Sequence, residues 1–233
     1  MLVLKINYTT SLDRAAKSVR YHAFRSRELP AEGKGIFDRT SDHADVGRFV
    51  RSLDDPLTQD RVTRRGRVIP TAKLHRLMFS LSRREFESCG FTSWKPVIRE
   101  ALEHFERYHG IKLEWVAAEH QSATHPHVHV DIKSVYTAAD GTRHRLVITN
   151  EMRKHLRWAV EGVMKRERTR YQEERRQHKA FDRAVRDLTV DLTRGLLKGL
   201  RDATREDGPD PLGKQNRRRR RPERDDERDD RSR

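Results

Sequence analysis

Residues 120–132 read His-Gln-Ser-Ala-Thr-His-Pro-His-Val-His-Val-Asp-Ile, a stretch dense in side chains that can hold a metal. His127 and His129 flank a single valine, and the run alternates apolar and polar residues as a half-buried strand does. Alternation puts His127, His129 and Asp131 on one face and Val128, Val130 and Ile132 on the other. Residues 113–120 also read as a strand, with His120 at its end, and the intervening Gln-Ser-Ala-Thr-His-Pro is a short turn that brings His120 back beside the pair. Three histidines with an open position suit a catalytic divalent metal. The competing reading is that histidines near a strand end merely face solvent.

The second informative stretch lies near the N-terminus. Tyr21 stands among Arg20, His22, Arg25 and Arg27, a basic setting for a phenol. Positive neighbours favour the phenolate, which is scarce at neutral pH because a free tyrosine titrates near 10. The plain alternative is a helix tyrosine that packs its ring and exposes its hydroxyl.

Taken together, residues 120–132 resemble the signature of relaxases, the plasmid mobilisation nucleases of the HUH (His–hydrophobic–His) endonuclease superfamily. Those proteins carry an upstream histidine, a short turn, and then Pro-His-x-His on the central strand. The resemblance likens His120, His127 and His129 to the metal ligands and leaves His125 in the turn. Where the family often has an acidic residue two positions after the first histidine, this chain has Ser122. Relaxases also place a nucleophilic tyrosine near the N-terminus, on or beside the first helix, and Tyr21 matches that placement. Arg20, Arg25 and Arg27 are similar to the basic segment around it, with Arg25 one position late.

The resemblance implies a metal-dependent transesterase that nicks and rejoins single-stranded DNA at an origin-of-transfer-like site through a 5′-phosphotyrosine. By resemblance the ion is Mg²⁺ or Mn²⁺, although an all-histidine site in isolation favours softer metals such as Zn²⁺. Relaxosome accessory or coupling proteins would be its partners, and the cytoplasm its compartment. Two other readings stay open. In a rolling-circle replication initiator or single-strand transposase of the same superfamily the nucleophile follows the His pair, and Tyr171 would serve. In a non-catalytic DNA-binding accessory protein, a decayed site would only hold structure.

Composition fits a nucleic-acid partner. The chain has 233 residues, a formal net charge of +15 and a pI of about 10.4. Nucleic acid is the default polyanion for such a chain, with anionic lipid as the alternative. Cys89 is the single cysteine, which excludes an intramolecular disulfide framework and a cysteine-based zinc site and fits a reducing interior. The first residues meet polar side chains at once and read as a strand, not as a signal peptide or membrane span.

The elements that must position these residues follow from periodicity. Residues 2–8 alternate as a first strand, expected at the sheet's centre, and Ser11 or Asp13 can cap a helix carrying Ala15, Ala16, Val19 and Tyr21. Residues 29–35 read as a turn. Val46, Phe49, Val50 and Leu53 have helical spacing, residues 54–67 read as an exposed loop, and residues 72–81 hold a central strand. Val97, Ile98, Ala101, Leu102 and Phe105 mark an amphipathic helix closed by Gly110. After the two strands of the His site, Asp140-Gly141 signals a hairpin and residues 144–148 return as a strand. Thr149 or Asn150 then caps a helix to about residue 170, and a further helical stretch carries Phe181, Val185, Leu188, Leu192 and Leu196.

This order predicts an α+β two-layer sandwich, a central antiparallel sheet of about five strands with helices packed on it, plus a C-terminal helical extension. The expected organisation is a nuclease-like domain over residues 1–170, the helical extension over 171–207, and a disordered charged tail over 208–233.

Overall fold

The computed structural model describes residues 1–24 and 35–206. Arg25, Arg27 and the expected tail from residue 208 lie outside the described residues, as does most of the turn expected over 29–35. The chain divides into two compact units, Met1–His178 and Lys179–Arg233. No helix among the described residues is long and apolar enough to cross a membrane.

The first unit is built on a five-stranded antiparallel sheet with helices against it, the expected α+β sandwich. Its strands are β1 (Val3–Thr9), β4 (Leu74–Ser80), β6 (His127–Ala138), β5 (Ile111–His120) and β7 (Arg143–Arg145). They lie in the order β1-β4-β6-β5, with β7 added beside the far end of β6. Among the described residues β1 therefore pairs only with β4, at an edge, and the central place expected for it belongs to β4 and β6. The reason is in the side chains: Val128, Val130, Leu77 and Phe79 are nearly inaccessible on β6 and β4, whereas β1 alternates exposed and half-buried positions. The segment expected as a plain loop holds a one-turn 3-10 helix (Pro56–Thr58) and a small hairpin of β2 (Arg61–Val62) and β3 (Val68–Ile69), turned at Gly66.

Helices cover both faces of the sheet. On one face pack α4 (Lys95–His109) and the first turns of α5 (Asn150–Glu206), which bury Val97, Ile98, Leu102, Phe105, Leu156, Val160 and Val163 against Leu77, Phe79, Val128, Val130 and Ile132. The short α3 (Arg83–Ser88), capped by Ser82, closes the same core with Phe86. Gly110 ends α4 with a φ of 62°, the left-handed conformation that favours glycine. At its other end Trp94 offers no side-chain cap. Instead the Glu119 carboxylate on β5 accepts hydrogen bonds from the Trp94 backbone N–H at 2.9 Å and the Ser93 hydroxyl at 2.8 Å, placing negative charge at the helix N-terminus.

On the second face, α1 (Leu12–Phe24) and α2 (Val46–Ser52) bury Ala15, Val19, Ala23, Phe49 and Leu53 against Leu74, Val116 and Ala118. Of the two candidate caps for α1, Ser11 takes the role, accepting from the Arg14 N–H at 3.3 Å.

In the second unit the described residues are helical, the continuation of α5 to Glu206. The two helical stretches expected after residue 150 are thus one helix, because nothing between residues 170 and 179 breaks it. Phe181, Leu188, Leu192 and Leu196 are exposed along it.

Two substitutions separate core from surface. Leu102→Ala, at 1% exposure, should cost about 2–5 kcal/mol of stability, whereas Leu188→Ala, at 64%, should stay within about 0.5 kcal/mol. Urea unfolding followed by the fluorescence of buried Trp94 and Trp115 measures both.

Candidate metal centre

The sheet's register sets out the second face as rows of facing residues. Val3, Ser80, His127 and His120 form one row across β1, β4, β6 and β5; Lys5, Met78, His129 and Ala118 form the next. The third is Asn7, Arg76, Asp131 and Val116. His120 and His127 are thus direct cross-strand partners, and His129 lies two residues along the same face. Their ring centroids are 5.0 to 5.2 Å apart, and one ligand nitrogen from each lies within 4.8 Å of the others. The three sequence-predicted ligands therefore converge, half-buried, at the end of the β5–β6 hairpin.

Hydrogen bonds orient two of the rings. His127 Nδ1 lies 3.0 Å from the His125 carbonyl, and His120 Nε2 lies 3.2 Å from the His22 carbonyl. A carbonyl only accepts, so both ring nitrogens donate, which leaves His127 Nε2 and His120 Nδ1 as the lone-pair nitrogens. His125 enters through its backbone alone, as its place in the turn implied. Ser122, at the position often acidic in relaxases, serves the turn: its hydroxyl faces Thr124 and its carbonyl accepts from Arg83.

The carboxylate of this site comes from Asp131, 1% exposed, whose Oδ2 lies 2.8 Å from Nδ1 of buried His22. The His22 ring stacks on His129, centroids 4.1 Å apart and planes 9° from parallel. His22 therefore touches the cluster twice, by its ring on His129 and by its carbonyl on His120. Burial pushes the His129 pKa down to about 2, and the neighbouring His22, His120, His127 and Arg76 oppose a further positive charge there. It stays neutral, the form that ligates a metal. Three converging imidazoles, two of them with assigned lone pairs, are a donor set that fits a divalent ion.

The other predicted residues fall around this centre. Tyr21 is on α1, 47% exposed, its ring 6.0 Å from that of His22, and Arg20 is exposed beside it. Tyr171 lies against Gly90, with Arg175 over its ring, in the helical layer that packs on the opposite face of the sheet. Sequence reasoning missed His22 and the cleft of about 160 Å³ next to it, lined by Lys5, Asn7, His22, Arg76, Met78 and His129. The signal was strand parity: Lys5 and Arg76 share the imidazoles' face once β1 and β4 are placed.

The fold and site define a class, an α+β protein with a three-histidine cluster on the antiparallel hairpin of a central and an outer strand, and a tyrosine-bearing helix docked beside it. Neither a protein-family model nor a curated protein sequence matches the chain. Among solved structures it is similar to the conjugative relaxase TrwC in complex with oriT DNA, metal-bound, at 15% identity and a TM-score of 0.47, over 75% of this chain and 70% of that one. It is also similar to TrwC complexed with a 27-mer DNA comprising the recognition hairpin and the cleavage site, at 16% identity and a TM-score of 0.43, over 75% and 69%.

Metal affinity checks the ligand set. By calorimetry with Mn²⁺, His127→Ala should abolish binding at this centre, and Asp131→Asn should weaken it about tenfold by loosening His22 against His129. The metal-free protein offers a pH readout. In the unfolded chain a histidine titrates near 6.5, whereas folded His129 refuses the proton down to about pH 2. Between those values the unfolded state binds the extra proton, so stability falls as pH drops below 6.5. His129→Ala should flatten that decline between pH 6.5 and 4, measured as urea midpoints. An unchanged slope would assign the decline to other groups.

Proposed function

We propose that this chain nicks and rejoins single-stranded DNA at a specific site, in the manner of a relaxase, with Tyr21 as the nucleophile. The observation that carries the reading is the docking of α1 on the three-imidazole cluster: His22, next to Tyr21 in sequence, stacks on His129 at 4.1 Å and accepts from His120. In this reading the Tyr21 hydroxyl, carried on that helix, works beside the imidazole cluster and its basic cleft.

The chemistry is a transesterification. The Tyr21 hydroxyl gives up its proton as its oxygen attacks the scissile phosphorus, the bond from phosphorus to the 3′-oxygen breaks, and the departing oxygen takes up a proton, so that none is gained or lost overall. The product is a 5′-phosphotyrosine and a free 3′-hydroxyl. One phosphoester replaces another, so the reverse step reseals the strand without ATP. A divalent ion held by His120, His127 and His129 withdraws charge from the scissile phosphate when bound. Mg²⁺ or Mn²⁺ is the working ion in this reading.

Lys5 and Arg76 line the cleft at His129 and supply fixed positive charge for the phosphates on either side. Arg20 sits on α1 next to the nucleophile, and Arg25 and Arg27 follow it in sequence. Asp131 holds His22, and through it the position of α1 over the cluster. The reading implies a cytoplasmic protein of a mobile element that meets accessory or coupling proteins at an origin-like DNA site, with residues 1–170 as the nuclease domain and the rest as extension and tail.

Tyr21→Phe removes one oxygen and keeps the ring. The variant should bind Mn²⁺ and a single-stranded origin oligonucleotide as the wild type does yet form no covalent adduct on a denaturing gel of 3′-labelled DNA. Tyr171→Phe should keep the adduct. The reverse pattern would move the nucleophile to Tyr171 and the protein to the replication-initiator or transposase class. Wild-type protein that binds every origin tested and never forms an adduct would leave a DNA-binding role only. Binding itself should weaken with salt at a log–log slope of about −0.7 per phosphate contacted, and Arg76→Ala should make that slope shallower.

A further inference from the structure

A second group of ligand-type side chains lies on the other face of the sheet, where the end of α4 meets the start of α5. His109 Nε2 and His155 Nδ1 are 3.1 Å apart, on two different helices. Two nitrogens bound to one zinc-sized ion at about 2.0–2.1 Å and a tetrahedral angle stand a little over 3 Å apart, so the pair already has the bite of a chelate. Tyr108 packs edge-on to His155 at 3.9 Å and Trp158 lies 5.3 Å from it, which fixes the ring from two sides. His104 stands beside them, 5.7 Å from His155, with its Nδ1 buried and without a hydrogen-bond partner.

We infer that His109 and His155 hold a second divalent ion of the Zn²⁺ class, with the exposed Glu151 carboxylate turning in by a change of rotamer to become the third ligand and water completing the shell. Glu151 is one helical turn before His155 and exposed, and its charge acts on both imidazoles. Two imidazoles and one carboxylate suit Zn²⁺ or Co²⁺ better than Mg²⁺, which prefers an all-oxygen shell. His109, Glu151 and His155 all belong to the first unit, so an ion here ties the first turns of α5 to the C-terminal end of α4, and it stabilises the fold by mass action. The competing account is a bare N–H···N hydrogen bond between the two rings, which needs no ion.

Co²⁺, added alone to the full-length tag-free chain, distinguishes these. In a His127→Ala/His129→Ala background, which clears the first centre, one equivalent should bind with visible d–d absorption and be displaced by Zn²⁺. Adding His155→Ala should abolish it, and adding Glu151→Gln should weaken it about tenfold. Retention of Co²⁺ after both His109→Ala and His155→Ala, or no binding in the cleared background, overturns the site. Should the cleared background fail to fold, stoichiometry decides. Two equivalents on wild type falling to one on His155→Ala supports the site, and one equivalent on both overturns it.

Discussion

The pairing of β6 with β4 and β5 fixes which way every side chain of the site points, because residues along a strand alternate faces and a slip of one residue exchanges them all. His120 opposite His127, and Asp131 opposite Arg76, hold only in the observed register. A slip by one would turn three imidazole and carboxylate positions into the core and expel Val128, Val130 and Ile132, each at or below 1% exposure. Burying such side chains contributes about 1.5–3 kcal/mol apiece, so the valines and isoleucine hold the histidines in place without touching them.

The same register decides how α1 sits. Ala15, Val19 and Ala23 lie against Val116 and Ala118, small residues that let the helix approach the sheet closely. At its last turn that closeness becomes specific: the His22 ring lies flat on His129, and Asp131 reaches Nδ1 from below. The polar contact is deeply buried and joins a helix near the N-terminus to a strand more than a hundred residues later. Removing the Asp131 carboxylate would strand a buried ring nitrogen, which is costlier than the contact itself is stabilising.

Much of this was legible in the residues. The Val-His-Val-Asp-Ile alternation gave β6 and its faces, the apolar spacing over Val97 to Phe105 gave α4, and Gly110 gave its end. The three histidines converge because a short turn between antiparallel strands leaves them no other arrangement. Other features could not be read locally. The edge position of β1 depends on competition among strands for the centre, and its alternation looks alike in either place. His22 was passed over beside Tyr21 because its role comes from stacking on a distant residue. The role of Asp131 cannot be read from its own strand, because its partner His22 arrives on α1. The single span of α5 follows from the absence of any breaker, which stripe-by-stripe reading of apolar positions divides in two.

Glu119 and His120 are consecutive residues with unrelated duties on opposite faces: one closes the N-terminus of α4, the other belongs to the imidazole cluster. That adjacency governs where the chain tolerates changes in length. Residues 121–124 are a surface turn, and inserting or removing a residue there leaves the two strands matched so long as the His125 carbonyl still meets the His127 ring. Deleting a single residue at the end of β5 would rotate both duties to the wrong side at once, uncapping a core helix while stripping the cluster of a ligand. Divergent relatives of this chain should therefore vary freely in turn length while keeping an acidic–histidine dipeptide at the strand's end.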